Sequence, residues 1–265
     1  MADSQNKKLK EDPQAEANRR RKKTVSVRKL AENIRSLRNK VTRDMKSDDE
    51  KMRMTALAVA LIDKTAERVG NESSAKDGHY GVTGWCAKHV AIDGDKVTIK
   101  YVGKSGVDHE KAFTDKAIAK MLKDAKDRCG SGDKRILSCG DGFEINADKV
   151  NRYLRDYGVT AKDLRGFRAN SLIVEALKRS VVSKDRDERK KKFQDVVSNI
   201  AEKVGHQKAT LRKHYLLPGI EGQYVSKGTV PSVRKASWTV RRVTAGVTRT
   251  CLAHMKLIRI GSTNG

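Results

Sequence analysis

Apolar residues recur at steps of three and four from residue 27 onward, where Val27, Leu30, Ile34, Leu37 and Val41 make one stripe of a helix facing a core. A second helix follows the acidic run Asp48, Asp49 and Glu50, whose charge suits a helix N-terminus; it carries Met54, Leu57, Leu61 and Ile62 and is expected to end near Arg68. The pattern changes over residues 80–102. Gly78, Gly81 and Gly84 interrupt the helical spacing, and the segments AKHVAI and DKVTIKYV, joined at Asp93-Gly94-Asp95, predict a β-hairpin. Helical spacing then returns. Thr114 is placed to cap a helix through Ala117, Met121 and Leu122, Asn146 one through Val150 and Leu154, and Thr160 one through Leu164, Leu172 and Leu177. The glycine-rich stretch Cys129 to Gly142 reads as a loop. The expected fold class is α+β and mainly α, a helical body with one small antiparallel sheet.

Charge adds a partner to this picture. Lys and Arg number 58 against 33 Asp and Glu, a formal net charge of +25, which points to a polyanion. Hydrophobic residues, at 37%, still suffice for a sizeable core in 265 residues, so a wholly disordered chain is excluded. The charge is uneven. Residues 1–24 hold eight Lys or Arg, four acids and almost no large apolar side chain, the composition of a disordered basic arm that is either a solvated tail or a loose DNA contact. Residues 224–265 hold eight Lys or Arg and no acid, a basic extension lying on nucleic acid or disordered. The run KDRDERKKK from Lys184 to Lys192 reads as a solubilising helix face or loop. Residues 25–223 remain as the folded domain.

No apolar run approaches the roughly 20 residues of a membrane span, and the first residues are charged where a secretion signal needs an apolar stretch. A cytoplasmic, nucleoid-associated or viral location is expected. Cys86, Cys129, Cys139 and Cys251 are scattered and make no Cys-x-x-Cys pair, and His79, His89, His109, His206, His214 and His254 form no HExxH pattern. The sequence asks for no metal and no cofactor.

Five short segments in order, RVGNE from Arg68, YVGKSGVDH from Tyr101, KDLRGFRAN from Lys162, KVGHQK from Lys203 and RKHYLLP from Arg212, resemble the signature segments of type IB DNA topoisomerases, especially the small poxvirus-like and bacterial ones. Each alone is weak; their joint order and spacing are what carry the resemblance. It covers Arg68 to Pro218 and implies a catalytic pentad at Arg68, Lys104, Arg165, His206 and Tyr215. The nine residues from His206 to Tyr215 match the family spacing. Tyrosine recombinases share the fold and most of the chemistry, but usually carry His where this chain has Lys162, which favours the topoisomerase reading.

The implied chemistry suits these residue types. In-line attack on a phosphodiester builds charge on the non-bridging oxygens, and two fork-shaped, permanently charged guanidiniums at Arg68 and Arg165, with a hydrogen bond from His206, would hold that charge as a metal ion does in other nucleases. Tyr215 would attack and form a 3′-phosphotyrosyl bond that stores the energy of the broken linkage, so resealing needs no ATP. Lys104, in the loop after VTIKYV, would protonate the leaving 5′-oxygen. Lys162 would help relay that proton, and Asn170 matches a position contacting the phosphate region; both are assigned to DNA binding. Tyr101, His214 and Tyr224 read as structural, as does Trp85, while the role of Trp238 stays open.

The implied function is relaxation of positive and negative supercoils in double-stranded DNA by nicking, strand rotation and religation. The alternatives are a recombinase acting as a multimer on specific sites, and a non-catalytic DNA-binding scaffold. Only 67 residues precede Arg68, which leaves no room for the β-rich N-terminal domain of small family members. A monomer gripping DNA through its charge and tails is expected, or a partner chain supplying the missing half of the clamp. Ser105 and Ser74 depart from residues some relatives place there, so no target sequence is assigned.

Overall fold

The structure, a computed structural model, describes residues 12–103 and 106–233. Its helices are α1 (Pro13–Asp44), α2 (Glu50–Thr65), α3 (Glu72–Lys76), α4 (Lys116–Cys129), α5 (Ala147–Leu154), α6 (Ala161–Arg179), α7 (Arg186–Lys203), α8 (Lys208–His214) and α9 (Ile220–Lys227). Between α3 and α4 lies an antiparallel sheet of β1 (Val90–Asp93), β2 (Lys96–Val102) and β3 (Asp108–Thr114), in that order. The mainly helical α+β class expected from the sequence is what the chain adopts. No helix among the described residues is long and apolar enough to cross a membrane.

The core forms around α2 and α6. The α1 stripe of Val27, Leu30, Ile34, Leu37 and Val41 is buried, and α1 packs on both α2 and α6. Residues Met54 to Val59, with Leu61, Ile62 and Thr65, bury most of the circumference of α2, as expected of a helix enclosed by neighbours. At the start of α6, Thr160 and Asp163 form a reciprocal capping box. Asn146 caps α5 through the amide of Lys149. In the hairpin, Asp93 pairs with Lys96 across Gly94 and Asp95, and Gly94 takes a positive φ of 56° that a tight two-residue turn demands. Val97, Ile99 and Tyr101 alternate inward along β2.

Several expectations need correction. The disordered arm proposed for residues 1–24 is helical from Pro13, capped by Asp12 and supported by the Arg20–Glu16 pair one turn apart; residues 1–11 lie outside the described residues. Its Ala, Arg, Lys, Gln and Glu are strong helix formers, so low apolar content signalled an exposed helix there and not a lack of structure. The boundary at residue 224 cuts through α9, where Tyr224 is fully buried with its ring 6.3 Å from that of Phe193, and Val225 and Val233 are buried as well. Residues 234–265, with Trp238, lie outside the described residues. A third strand, DHEKAFT, went unread because its polar sequence hides the pairing with β2 that runs from Lys96–Thr114 to Val102–Asp108. Asp115, not Thr114, caps α4, and α2 stops at Thr65 because Ala66 turns left-handed with φ 59°. Within KDRDERKKK, Arg189 is buried, donating to the carbonyls of Val225, Ser183 and Lys184 and so tying α7 to α9.

Candidate active site

Four chain segments converge beside the N-terminal half of α6. Arg165 enters from α6 and is only 2% exposed. Its guanidinium is fixed by carbonyls at the ends of two other helices: Nε donates to Ala66, just past α2, and Nη2 to Val204, just past α7, at 2.8 Å. Helix C-termini present carbonyls without intrahelical donors, so both ends are natural cradles for a cation. This leaves Nη1, which lies 3.4 Å from the Tyr215 hydroxyl. Arg165 also sits under the phenol, with Cζ 5.5 Å from the ring centroid. Burial and the neighbouring Arg68 both oppose its charge, so this corner of the protein favours an anion.

His206 follows α7 by way of Gly205, whose φ of 64° reverses the chain at the helix end. Its ring centroid is 4.5 Å from that of Tyr215. Burial, then the charges of Arg165 and Arg68, lower its pKa to about 3, so the imidazole is neutral at physiological pH. Nε2 is buried and has no hydrogen-bond partner among the described residues. An orphaned buried polar nitrogen costs free energy, and this one belongs to a ring packed against the Tyr215 phenol that Arg165 also reaches. Arg68 is half-buried after α2, and its carbonyl accepts from the amide of Val82.

Tyr215 occupies the C-cap of α8, is 8% exposed, and is held by Asn170. Nδ2 of Asn170 donates to the Tyr215 carbonyl at 2.8 Å and to the Gly166 carbonyl, and Oδ1 accepts from the amide of Leu217 at 2.8 Å. Asn170 is 0% exposed, so the sequence-based assignment of this residue to DNA contact is corrected. Its polar atoms are spent inside the protein, where they anchor the segment carrying the phenol.

Lys162 is exposed on the wall of a cleft of about 500 Å³ that opens onto Tyr215. The opposite wall is the early part of α1, with Arg20 and Lys23. Burial, then the charges of Arg20 and Lys162, bring the Lys23 pKa down to about 8. Reading residues 13–24 as a tail missed these groups; the signal available was the spacing of Arg19, Lys22 and Lys23 along one helical face, leading to the buried Val27. Lys104 falls between β2 and β3 in chain order and lies outside the described residues. Tyr101, Tyr224 and Trp85 are buried core residues.

Residues 6–217 match the family model of the eukaryotic DNA topoisomerase I catalytic core. Among characterised proteins, the chain is 25% identical over 200 residues to DNA topoisomerase 1 alpha of Arabidopsis thaliana, an alignment covering 73% of this chain and 21% of that protein. It is 28% identical over 182 residues to DNA topoisomerase 1B of Acanthamoeba polyphaga mimivirus, covering 63% of this chain and 53% of the viral one. The human DNA topoisomerase 1 is 28% identical over 170 residues, covering 59% of this chain and 21% of the human protein. The chain thus spans about a fifth of its plant and human relatives and about half of its viral one. With four-fifths of its length inside that family model, the chain belongs to the eukaryotic DNA topoisomerase I catalytic-core family of type IB topoisomerases.

Proposed function

We propose that this chain relaxes supercoiled double-stranded DNA of either sign by transient cleavage of one strand through Tyr215. The observation that carries this reading is the buried Nε2 of His206, without a hydrogen-bond partner among the described residues, in a ring packed on a phenol that a buried guanidinium also reaches. A scissile phosphate lying over Tyr215 meets three groups of the right chemistry. Nη1 of Arg165 and the guanidinium of Arg68 neutralise the non-bridging oxygens, and a neutral His206, as its Nε2–H tautomer, adds a hydrogen bond. That hydrogen bond strengthens as charge builds in the transition state.

Tyr215 Oη forms a bond to phosphorus as the bond from phosphorus to the 5′-oxygen breaks. The phenolic proton passes to solvent, and Lys104 supplies a proton to the departing 5′-oxygen. The freed 5′ end rotates, then attacks the phosphotyrosine to restore the original linkage; one phosphodiester is exchanged for another in each direction, so no ATP is consumed. Lys162, with the basic wall of α1, holds the phosphate backbone in the cleft, a grip dominated by counterion release.

The deciding experiment is relaxation of positively and negatively supercoiled plasmid in excess EDTA without ATP, comparing the unmutated chain with Tyr215→Phe. Loss of both supercoil signs, abolished by removal of one oxygen, is expected. Relaxation that survives in Tyr215→Phe, or that requires ATP or a divalent metal, would overturn the reading.

A further inference from the structure

Behind the arginines lies a buried polar cluster that the reaction as described does not use. Glu67, immediately before Arg68, is 1% exposed. Its carboxylate accepts from the Tyr101 hydroxyl at 2.6 Å, with His109 Nδ1 and Lys111 Nζ each 3.2 Å away. Burial pushes the Glu67 pKa up, but the His109 hydrogen bond, the Lys111 charge and the Tyr101 hydrogen bond outweigh it and hold it at about 2. An ionised carboxylate can only accept, so Nδ1 of His109 carries the proton toward it.

This cluster ties together the parts of the frame that carry the reactive groups. Glu67 follows Ala66, whose carbonyl cradles Arg165. Lys111 also donates to the carbonyl of Lys203, at the end of α7. The His109 ring, stacked on Tyr101 with centroids 5.0 Å apart, fits between two glycines. A Cβ on Gly103 would meet His109 Cδ2 and Nε2 at 2.6 Å, and a Cβ on Gly205 would collide with its Cε1. Gly103 precedes Lys104 in the chain, and Gly205 precedes His206.

We propose that His109, oriented by Glu67, is a positioning residue for strand cleavage: its ring holds the end of β2 against the turn after α7 that delivers His206. The ring acts as a spacer in a seam from which both neighbours have surrendered their side chains, so its removal lets that seam close or slide. Glu67 keeps the ring from rotating out, and its negative charge favours the buried Arg165 guanidinium. Neither residue touches the scissile phosphate. The inference rests on the strand-cleavage reading above.

The test is single-turnover formation of the covalent adduct on a nicked duplex by the full chain, together with the Kd of the same duplex measured in a Tyr215→Phe background. The variants are His109→Ala, Gly103→Ala, their double, and His109→Asn, whose amide can still donate to Glu67. His109→Ala is expected to slow cleavage about a hundredfold, the scale of a displacement near one ångström, with Kd unchanged within twofold, and His109→Asn is expected to recover part of the rate. Gly103→Ala should slow the otherwise unmutated chain about tenfold but add less than twofold in the His109→Ala background, because the clash disappears with the ring. If His109→Ala shows no cooperative melt, His109→Asn takes its place in the double variant and the same non-additivity is required. Cleavage within threefold of the unmutated rate in the His109 variant, or losses that simply multiply in the double, overturns the inference. An unmutated chain that forms no adduct overturns the cleavage reading itself, and this inference with it.

Discussion

Replacing Asn170 with Ala separates a residue that grips DNA from one that builds the nucleophile's platform. The substitution leaves the Tyr215 carbonyl and the Leu217 amide without their partners, each formerly bonded at 2.8 Å to a side chain that is 0% exposed. A buried backbone group left unpaired costs about 1–3 kcal/mol, so two cost about 2–6 kcal/mol. Taking about 4 kcal/mol, the melting temperature of a domain this size should fall by roughly 8–16 °C. The segment carrying the phenol also loses its tether to α6, and a displacement near 1 Å is worth about a hundredfold in rate. The assays are a thermal melt and single-turnover adduct formation, with duplex affinity measured at several salt concentrations. The slope of log affinity against log salt should match that of the unmutated chain, since no phosphate contact is removed. Retention of melting temperature within 2 °C and of cleavage within twofold would refute the platform argument, and a shallower salt slope would return Asn170 to the DNA surface.

Lys162→Ala should do the opposite, lowering the salt slope by about one while leaving the melting temperature unchanged. Because the Lys23 pKa lies at about 8, that side chain is charged below and neutral above this value, so duplex affinity should fall between pH 7 and 9 and do so less in Lys23→Gln, as fluorescence anisotropy would show. Gly81→Ala places a Cβ 2.5–2.7 Å from backbone atoms of Gly70 and Arg68, with nothing flexible to give way; a loss of cleavage of about tenfold or more is expected from the shifted Arg68 turn. Gly78→Ala, with open space but φ 76°, serves as the contrast and should cost about 1 kcal/mol in stability without a matching loss of rate. For His206 the folded pKa of about 3 lies below the ordinary histidine value of 6.5, so the unfolded chain takes up a proton first as pH falls, and stability declines through that window. His206→Gln should lose less stability than the unmutated chain between pH 7 and 4, as thermal melts would show.

Much of the architecture was legible because its signals are local. The stripe from Val27 to Val41, the caps at Asn146 and Thr160, and the turn at Gly94 each depend on residues within a few positions of one another, and the structure uses all of them. Polar segments were illegible for the matching reason. The early part of α1 and the strand β3 have too few apolar residues to declare a face; the first is a helix of strong helix formers lying along a basic cleft, and the second is held by backbone pairing to β2. Lys23 and Asn170 show the same division within the site. One was hidden in a segment read as a tail, and the other was identified by position but given the wrong partner.

The sequence by itself determined the helical class, the excess of positive charge and the order of Arg68, Lys104, Arg165, His206 and Tyr215, because composition, periodicity and motif spacing are properties of the chain alone. Only the tertiary structure decided that Arg165 meets Tyr215 across 50 residues, that Asn170 is spent on the backbone beneath the phenol, that Nε2 of His206 finds no partner among the described residues, and that His109 fills the gap between two glycines. Those outcomes depend on which helix ends and side chains come into contact when distant segments pack, and burial there sets each group's hydrogen-bond partners and the cost of its charge.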